Sequence, residues 1–131
     1  MTGSEFAVLD ASAALAVILR ERRADRLTAK VLQNAVISTV NLAEVQSKLV
    51  KAGYDPENAW EDALSVTPAV ELYTAEQAKI AGSLIMQTQD RGLSLGDRSC
   101  LALAITLNAT VYTTDQIWQS LKVGVKIHIL R

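Results

Sequence analysis

The sequence predicts an α/β domain in which a central parallel sheet is flanked by helices, and three observations carry that prediction. Short runs such as Phe6-Ala-Val-Leu9 and Ala35-Val-Ile37 are apolar throughout, as strands covered on both faces are. Between such runs lie longer stretches with apolar residues at helical spacing. Capping or turn residues punctuate most of the joins. Strands that alternate with helices pair in parallel through right-handed crossovers.

Taken in order, residues 6–9 read as a buried strand, followed by Asp10 and by Ser12 as the N-cap of an apolar helix through Leu19. Beyond a cluster of Arg20, Arg22, Arg23 and Arg26, the spacing of Leu27, Val31 and Leu32 is helical. A second buried strand, residues 35–37, ends at Ser38-Thr39. Asn41 is placed to cap a helix running to about Lys51, with Gly53 as its stop signal. Asp55-Pro56 opens a further helix carrying Trp60, Ala63 and Leu64 on one face.

Residues 66–72 contain Pro68 and alternate weakly, which predicts a short strand near an edge. Thr74-x-x-Gln77 has the form of a capping box. It leads into one long helix with Ile80, Ala81, Leu84, Ile85 and Thr88 facing inward, ended by Gly92. Ser94-x-x-Asp97 repeats that form, and residues 100–107 are apolar nearly all round, so this helix is buried on most sides. After the Asn108 stop, Val111-Tyr112 is a strand, Asp115 heads a short helix, and residues 125–130 form the last strand.

At 131 residues, the chain reads as a single domain over 1–131 with length enough for one core. Residues 1–6 are set apart as a tag or a natural extension and carry no functional weight. Half of the residues are hydrophobic, yet no uninterrupted apolar stretch is long enough to cross a bilayer, so no membrane partner is expected. The single cysteine, Cys100, lies in an apolar helical pattern, and no basic-then-apolar leader opens the chain. Both features predict a reducing, cytoplasmic location with Cys100 as core packing. The net charge of −1 does not decide the substrate, and the arginine cluster reads as a solvated helix end rather than an RNA contact.

Chemistry enters with four acids, Asp10, Glu44, Asp97 and Asp115, each at or near a junction between elements. In a parallel α/β domain such junctions fall on one edge of the sheet. Carboxylates meeting there repel one another unless a divalent cation holds them together. Each also has a local explanation. Asp10 and Asp115 suit helix starts, Asp97 complements the helix dipole, and Asn41-x-x-Glu44 has the form of a capping box. Hard oxygen ligands favour Mg²⁺ or Mn²⁺. Zinc is a poor candidate, because His128 is the only histidine and reads as structural.

Four stretches in order resemble one family: Val8-Leu-Asp-Ala-Ser-Ala13, Ser38-x-x-Asn-x-x-Glu44, Leu93-Ser-Leu-Gly-Asp97 and Val111-Tyr-Thr-Thr-Asp115. Together they look like a PIN domain, and more narrowly like the VapC-type toxins of bacterial toxin–antitoxin modules. The resemblance runs from Val8 through Trp118 to the Gly124-Val-Lys-Ile127 approach to the last strand. It implies a single PIN-like domain with an acidic pocket at the sheet edge. By this resemblance Asp10, Glu44, Asp97 and Asp115 are catalytic, and Ser12, Asn41 and Thr113 are supporting polar residues.

The implied activity is a Mg²⁺- or Mn²⁺-dependent endoribonuclease that hydrolyses RNA, tRNA among the candidates, by metal-activated water. The partners implied are a cognate antitoxin and a second copy of the chain. In this scheme Asp10, Asp97 and Asp115 contact metal directly or through water, Glu44 orients a water or assists proton transfer, and Arg98 either contacts substrate or faces solvent, the second being preferred. Two rivals are weighed against it. An aspartyl-phosphate enzyme would use Asp10 as nucleophile, but position 12 is Ser where phosphatases of that type carry a second Asp. A metal- or peptide-binding module without catalysis would keep the same acids.

Overall fold

The computed structural model describes residues 5–131. The expectation of a tag or extension over residues 1–6 therefore lies mostly outside the described residues. Phe6 packs against the core, and its carbonyl accepts from Thr110 N.

Five parallel strands form one sheet: β1 (Ala7–Leu9), β2 (Ala35–Ser38), β3 (Ala69–Glu71), β4 (Thr110–Thr113) and β5 (Ile127–Ile129). Their spatial order is β3-β2-β1-β4-β5. Val8 of β1 pairs with Val36 on one side and Val111 on the other. Successive side chains of a strand point to opposite faces, and the core divides accordingly. Ala7, Leu9, Ala35 and Ile37 enter one cluster, while Val8, Val36 and Val111 enter the other.

The first cluster is roofed by helices α1 (Ala11–Ile18), α2 (Ala29–Gln33), α3 (Thr39–Lys51) and α4 (Pro56–Leu64). Alanines 13, 14, 59 and 63 let these helices come close, and Leu42, Val45 and Leu49 fill the space between them. The second cluster is covered by α5 (Ala75–Ser83) and α7 (Leu95–Leu107), which the short α6 (Ile85–Thr88) connects. Helix α7 is buried at seven positions, Cys100 among them, as its apolar circumference predicts. Strand β3 follows Pro68, is three residues long and lies at the sheet edge, as predicted, where it is largely exposed.

Several local expectations are corrected. Helix α1 is capped by Asp10 rather than Ser12, and α3 starts behind Ser38 rather than Asn41. Asn41 and Glu44 are consequently an intrahelical pair, not a capping box. On α4 the buried side is Ala59 and Ala63, whereas Trp60 and Leu64 face solvent. The long helix expected after Thr74 breaks at Leu84, leaving Ile85 exposed. Arg98 explains part of that break, because its Nη1 donates to the Ala81 carbonyl at 2.9 Å, in the last turn of α5. A cation on a helix C-terminus favours a stop there. Thr74 caps α5 through Gln77 N, but the Gln77 amide turns to the Leu72 carbonyl, so the box is only half made. The last strand is also shorter than the apolar run that announced it.

The chain order places the site. It runs from β1 outward through β2 to β3, then returns past β1 to β4 and β5. Strand order thus reverses between β1 and β4. Ligands of open α/β sheets bind beyond the carboxyl ends of the strands at such a switch point.

Candidate active site

Asp10 stands one residue past β1, at that switch point. Its backbone is extended, and its N–H donates to the Tyr112 carbonyl of β4, prolonging the ladder. The side chain then caps α1: Oδ1 accepts from Ala13 N at 2.8 Å and from Ser12 Oγ at 2.7 Å. Oδ2 accepts from Thr113 Oγ1 at 2.6 Å across the strand gap. Ser12 Oγ in turn accepts from Thr114 N, and Thr113 Oγ1 accepts from Asp115 N. Ser12 and Thr113 therefore each spend their single proton on Asp10 and their lone pairs on the β4 exit loop.

Electrostatically this is an expensive position. Asp10 is only 4% exposed, and burial pushes its carboxyl up to about 6 despite the three hydrogen bonds, with the charge of Asp97 adding to the rise. Among the described residues, none of the four acids has a lysine or arginine within ion-pair distance.

The other half of the site is the seam between α3 and the head of α7. Glu44, half-buried, places Oε1 2.7 Å from the donating Asn41 Nδ2, which also donates to the Gly96 carbonyl at 3.1 Å. Asp97 follows Gly96 and completes the capping box predicted for Ser94, its Oδ2 accepting from Ser94 N while Ser94 Oγ accepts from Asp97 N. Behind both halves lies Cys100. Burial raises its thiol well above the ordinary range, and the charges of Asp10, Asp97 and Glu44 all add to that rise. Glu44 and Asp97 thus meet at the head of α7, with Asp10 within electrostatic reach of Asp97. Asp115 stands apart: it is exposed, its Oδ1 caps Ile117 N at 3.0 Å, and only its backbone joins the Asp10 network.

The donors are carboxylate and hydroxyl oxygens, which suit a hard divalent cation. Among the described residues, no three acids, histidines or cysteines close a ready-made cage around one point. A surface cleft of about 690 Å³, lined by Ala75, Lys79 and Ile80 among others, touches none of the acids. Buried uncompensated carboxylate, not concavity, marks the site.

The sequence profile of the PIN domain matches residues 7–123. The chain belongs to the PIN domain family. PIN domains are typically nucleases and generally use divalent metals. This PIN domain matches no curated protein sequence. Its fold is similar to that of VapBC2 from Rickettsia felis bound to a DNA fragment from their promoter, with a TM-score of 0.76 at 17% identity over 96% of this chain and 99% of that one. VapC20 of Mycobacterium tuberculosis, a Sarcin-Ricin loop cleaving toxin, gives 0.72 at 21% identity over 92% and 98%. FitAcB from Neisseria gonorrhoeae gives 0.68 at 18% identity over 93% and 96%. At such identities the likeness is one of fold.

Two of the remaining sequence expectations concern residues outside the acids. Arg98 does not face solvent; it is half-buried between α5 and α7. His128 lies exposed on β5 with its ring centroid 5.1 Å from that of Tyr112. Gly96 was not singled out in the sequence. A glycine immediately before an acid in the first turn of a helix costs helix stability, and that was the available signal.

Proposed function

We propose that this PIN domain is a Mg²⁺- or Mn²⁺-dependent endoribonuclease, acting as the toxin of a type II toxin–antitoxin pair. The observation that carries the reading is Asp10, a buried carboxylate without a counter-cation, at the β1/β4 switch point and within electrostatic reach of Asp97. Asp10, Asp97 and Asp115 would hold the cation. Bound there, it would acidify a water and offset charge on the phosphoryl oxygens.

The chain's own residues do the rest. Ser12, Thr113 and the Ala13 amide fix both oxygens of Asp10, so its carboxylate has one orientation. Glu44 orients the attacking water or takes its proton, with Asn41 holding one of its oxygens. Asp115, exposed at the rim, caps Ile117 N through Oδ1 and would offer its other carboxylate oxygen to the cation.

The structurally similar VapBC2 and FitAcB assemblies support a cognate antitoxin as partner; a homodimeric, cytoplasmic toxin belongs to the same proposal. No helix of the described residues is long and apolar enough to cross a membrane. RNA cleavage by wild-type protein, lost with chelator and restored by Mg²⁺ or Mn²⁺, is expected to disappear in Asp10→Asn. Undiminished metal-dependent cleavage by the folded variant would remove the assigned site. Metal binding without cleavage of any RNA would favour a binding module instead.

A further inference from the structure

Gly96 occupies the first turn of α7, where alanine would favour the helix. The reason for glycine lies across the seam with α3. A β-carbon at position 96 would stand 2.7 Å from Glu44 Cδ and 2.8 Å from its Oε1, well inside van der Waals contact. The Glu44 carboxylate rests directly on the Gly96 α-carbon. Asn41 Nδ2 then ties that carboxylate to the Gly96 carbonyl, with bonds of 2.7 and 3.1 Å. Two acceptors on one side decide which end of the amide faces them, since reversal would set oxygen against oxygen. The other end has a cost: Asn41 is buried and its Oδ1 meets no donor among the described residues.

From this geometry we propose that Gly96 and Asn41 are positioning residues for Glu44, together forming a seat that holds its carboxylate against the head of α7 beside Asp97. The inference rests on the nuclease reading of Glu44. A glutamate on a helix surface ordinarily samples several staggered rotamers. Here the missing β-carbon makes room for one of them, and the Asn41 amide selects it. A methyl group at position 96 would push against the far end of a flexible side chain, so the fold survives and the carboxylate moves.

The test compares Gly96→Ala with Gly82→Ala, whose added methyl on α5 meets nothing within 4 Å. Both variants are expected to fold with wild-type circular dichroism. In ¹⁵N spectra the Asn41 side-chain amide, assigned through its loss in Asn41→Ala, should shift in Gly96→Ala and stay in place in Gly82→Ala. Metal-dependent cleavage by Gly96→Ala should lose between about 10-fold and about 100-fold in kcat, with KM little changed. Combining it with Glu44→Gln should add nothing further. A wild-type amide signal, a wild-type kcat or fully additive losses would each overturn the proposal. If the wild-type protein cleaves no RNA, the nuclease reading fails separately, and the amide signal alone decides whether the seat exists.

Discussion

Burial of Asp10 has a consequence for stability that can be worked out and measured without any nuclease assay. Its carboxyl is raised from 3.8 to about 6, chiefly by burial. A native value above the unfolded one means that the native state binds the extra proton. The contribution of this group to stability is complete below about pH 4 and is lost as pH rises to about 6. With these two values the penalty is about 1 kcal/mol at about pH 4.5 and about 3 kcal/mol at about pH 7.5. Asp10→Asn keeps the shape and carries no charge to bury, so it removes this slope. Urea unfolding in chelator should therefore show the stability difference between variant and wild type moving by about 2 kcal/mol in favour of the variant between those two pH values. Saturating Mn²⁺ should reverse the order at the higher pH, since only the wild type gains a cation for its buried charge. Parallel pH profiles for the two proteins would refute the argument, because they would mean that Asp10 titrates alike in the folded and unfolded chains.

Three further outcomes follow from single contacts. Thr113→Val leaves Asp10 Oδ2 and Asp115 N without the hydroxyl they share; it should cost about 1–3 kcal/mol in urea unfolding at neutral pH. Ser94→Ala removes the cap of α7 and frees Asp97 from its box, and a loss of about 1 kcal/mol together with weaker Mn²⁺ binding by calorimetry is expected. Cys100 is fully buried and its thiol is raised by burial and by three nearby carboxylates, so a disulfide reagent should leave it unmodified in native protein and label it promptly in urea.

What the sequence made legible, and what it did not, divides along a physical line. Strands β1 and β2 announce themselves because both of their faces are covered, which demands the apolar runs 7–9 and 35–37, whereas β4, half-buried at alternate positions, shows only Val111-Tyr112. The Ser94 box was legible because its two reciprocal bonds lie within four residues. Helix starts at Ser12 and Asn41 were misplaced because a small polar residue at a helix head serves equally as cap or as first-turn residue. Distant partners make the choice. Thr113 holds Asp10 in the cap position, and the Gly96 carbonyl draws Asn41 inward from 55 residues away. The same holds for Arg98, whose place between α5 and α7 depends on a carbonyl in another helix. Of the four acids, Glu44 and Asp97 flank the α3–α7 seam, Asp10 lies within electrostatic reach of Asp97, and Asp115 remains at the rim on its own local cap.

The Thr113–Asp10 bond joins positions 103 apart in the chain. Synthesis proceeds from the N-terminus, so Asp10, Ser12 and the whole of α1 emerge long before their counterpart on β4. Until then the Asp10 carboxyl is hydrated, titrates as an ordinary acid and has nothing across the strand gap to hold it. The site is thereby timed by the order of the sheet: its central strand comes first and the neighbour that completes the carboxylate's shell comes nearly last. A chain stopped before Thr113 would carry Asp10, Glu44 and Asp97 and still lack the hydroxyl that fixes the first of them.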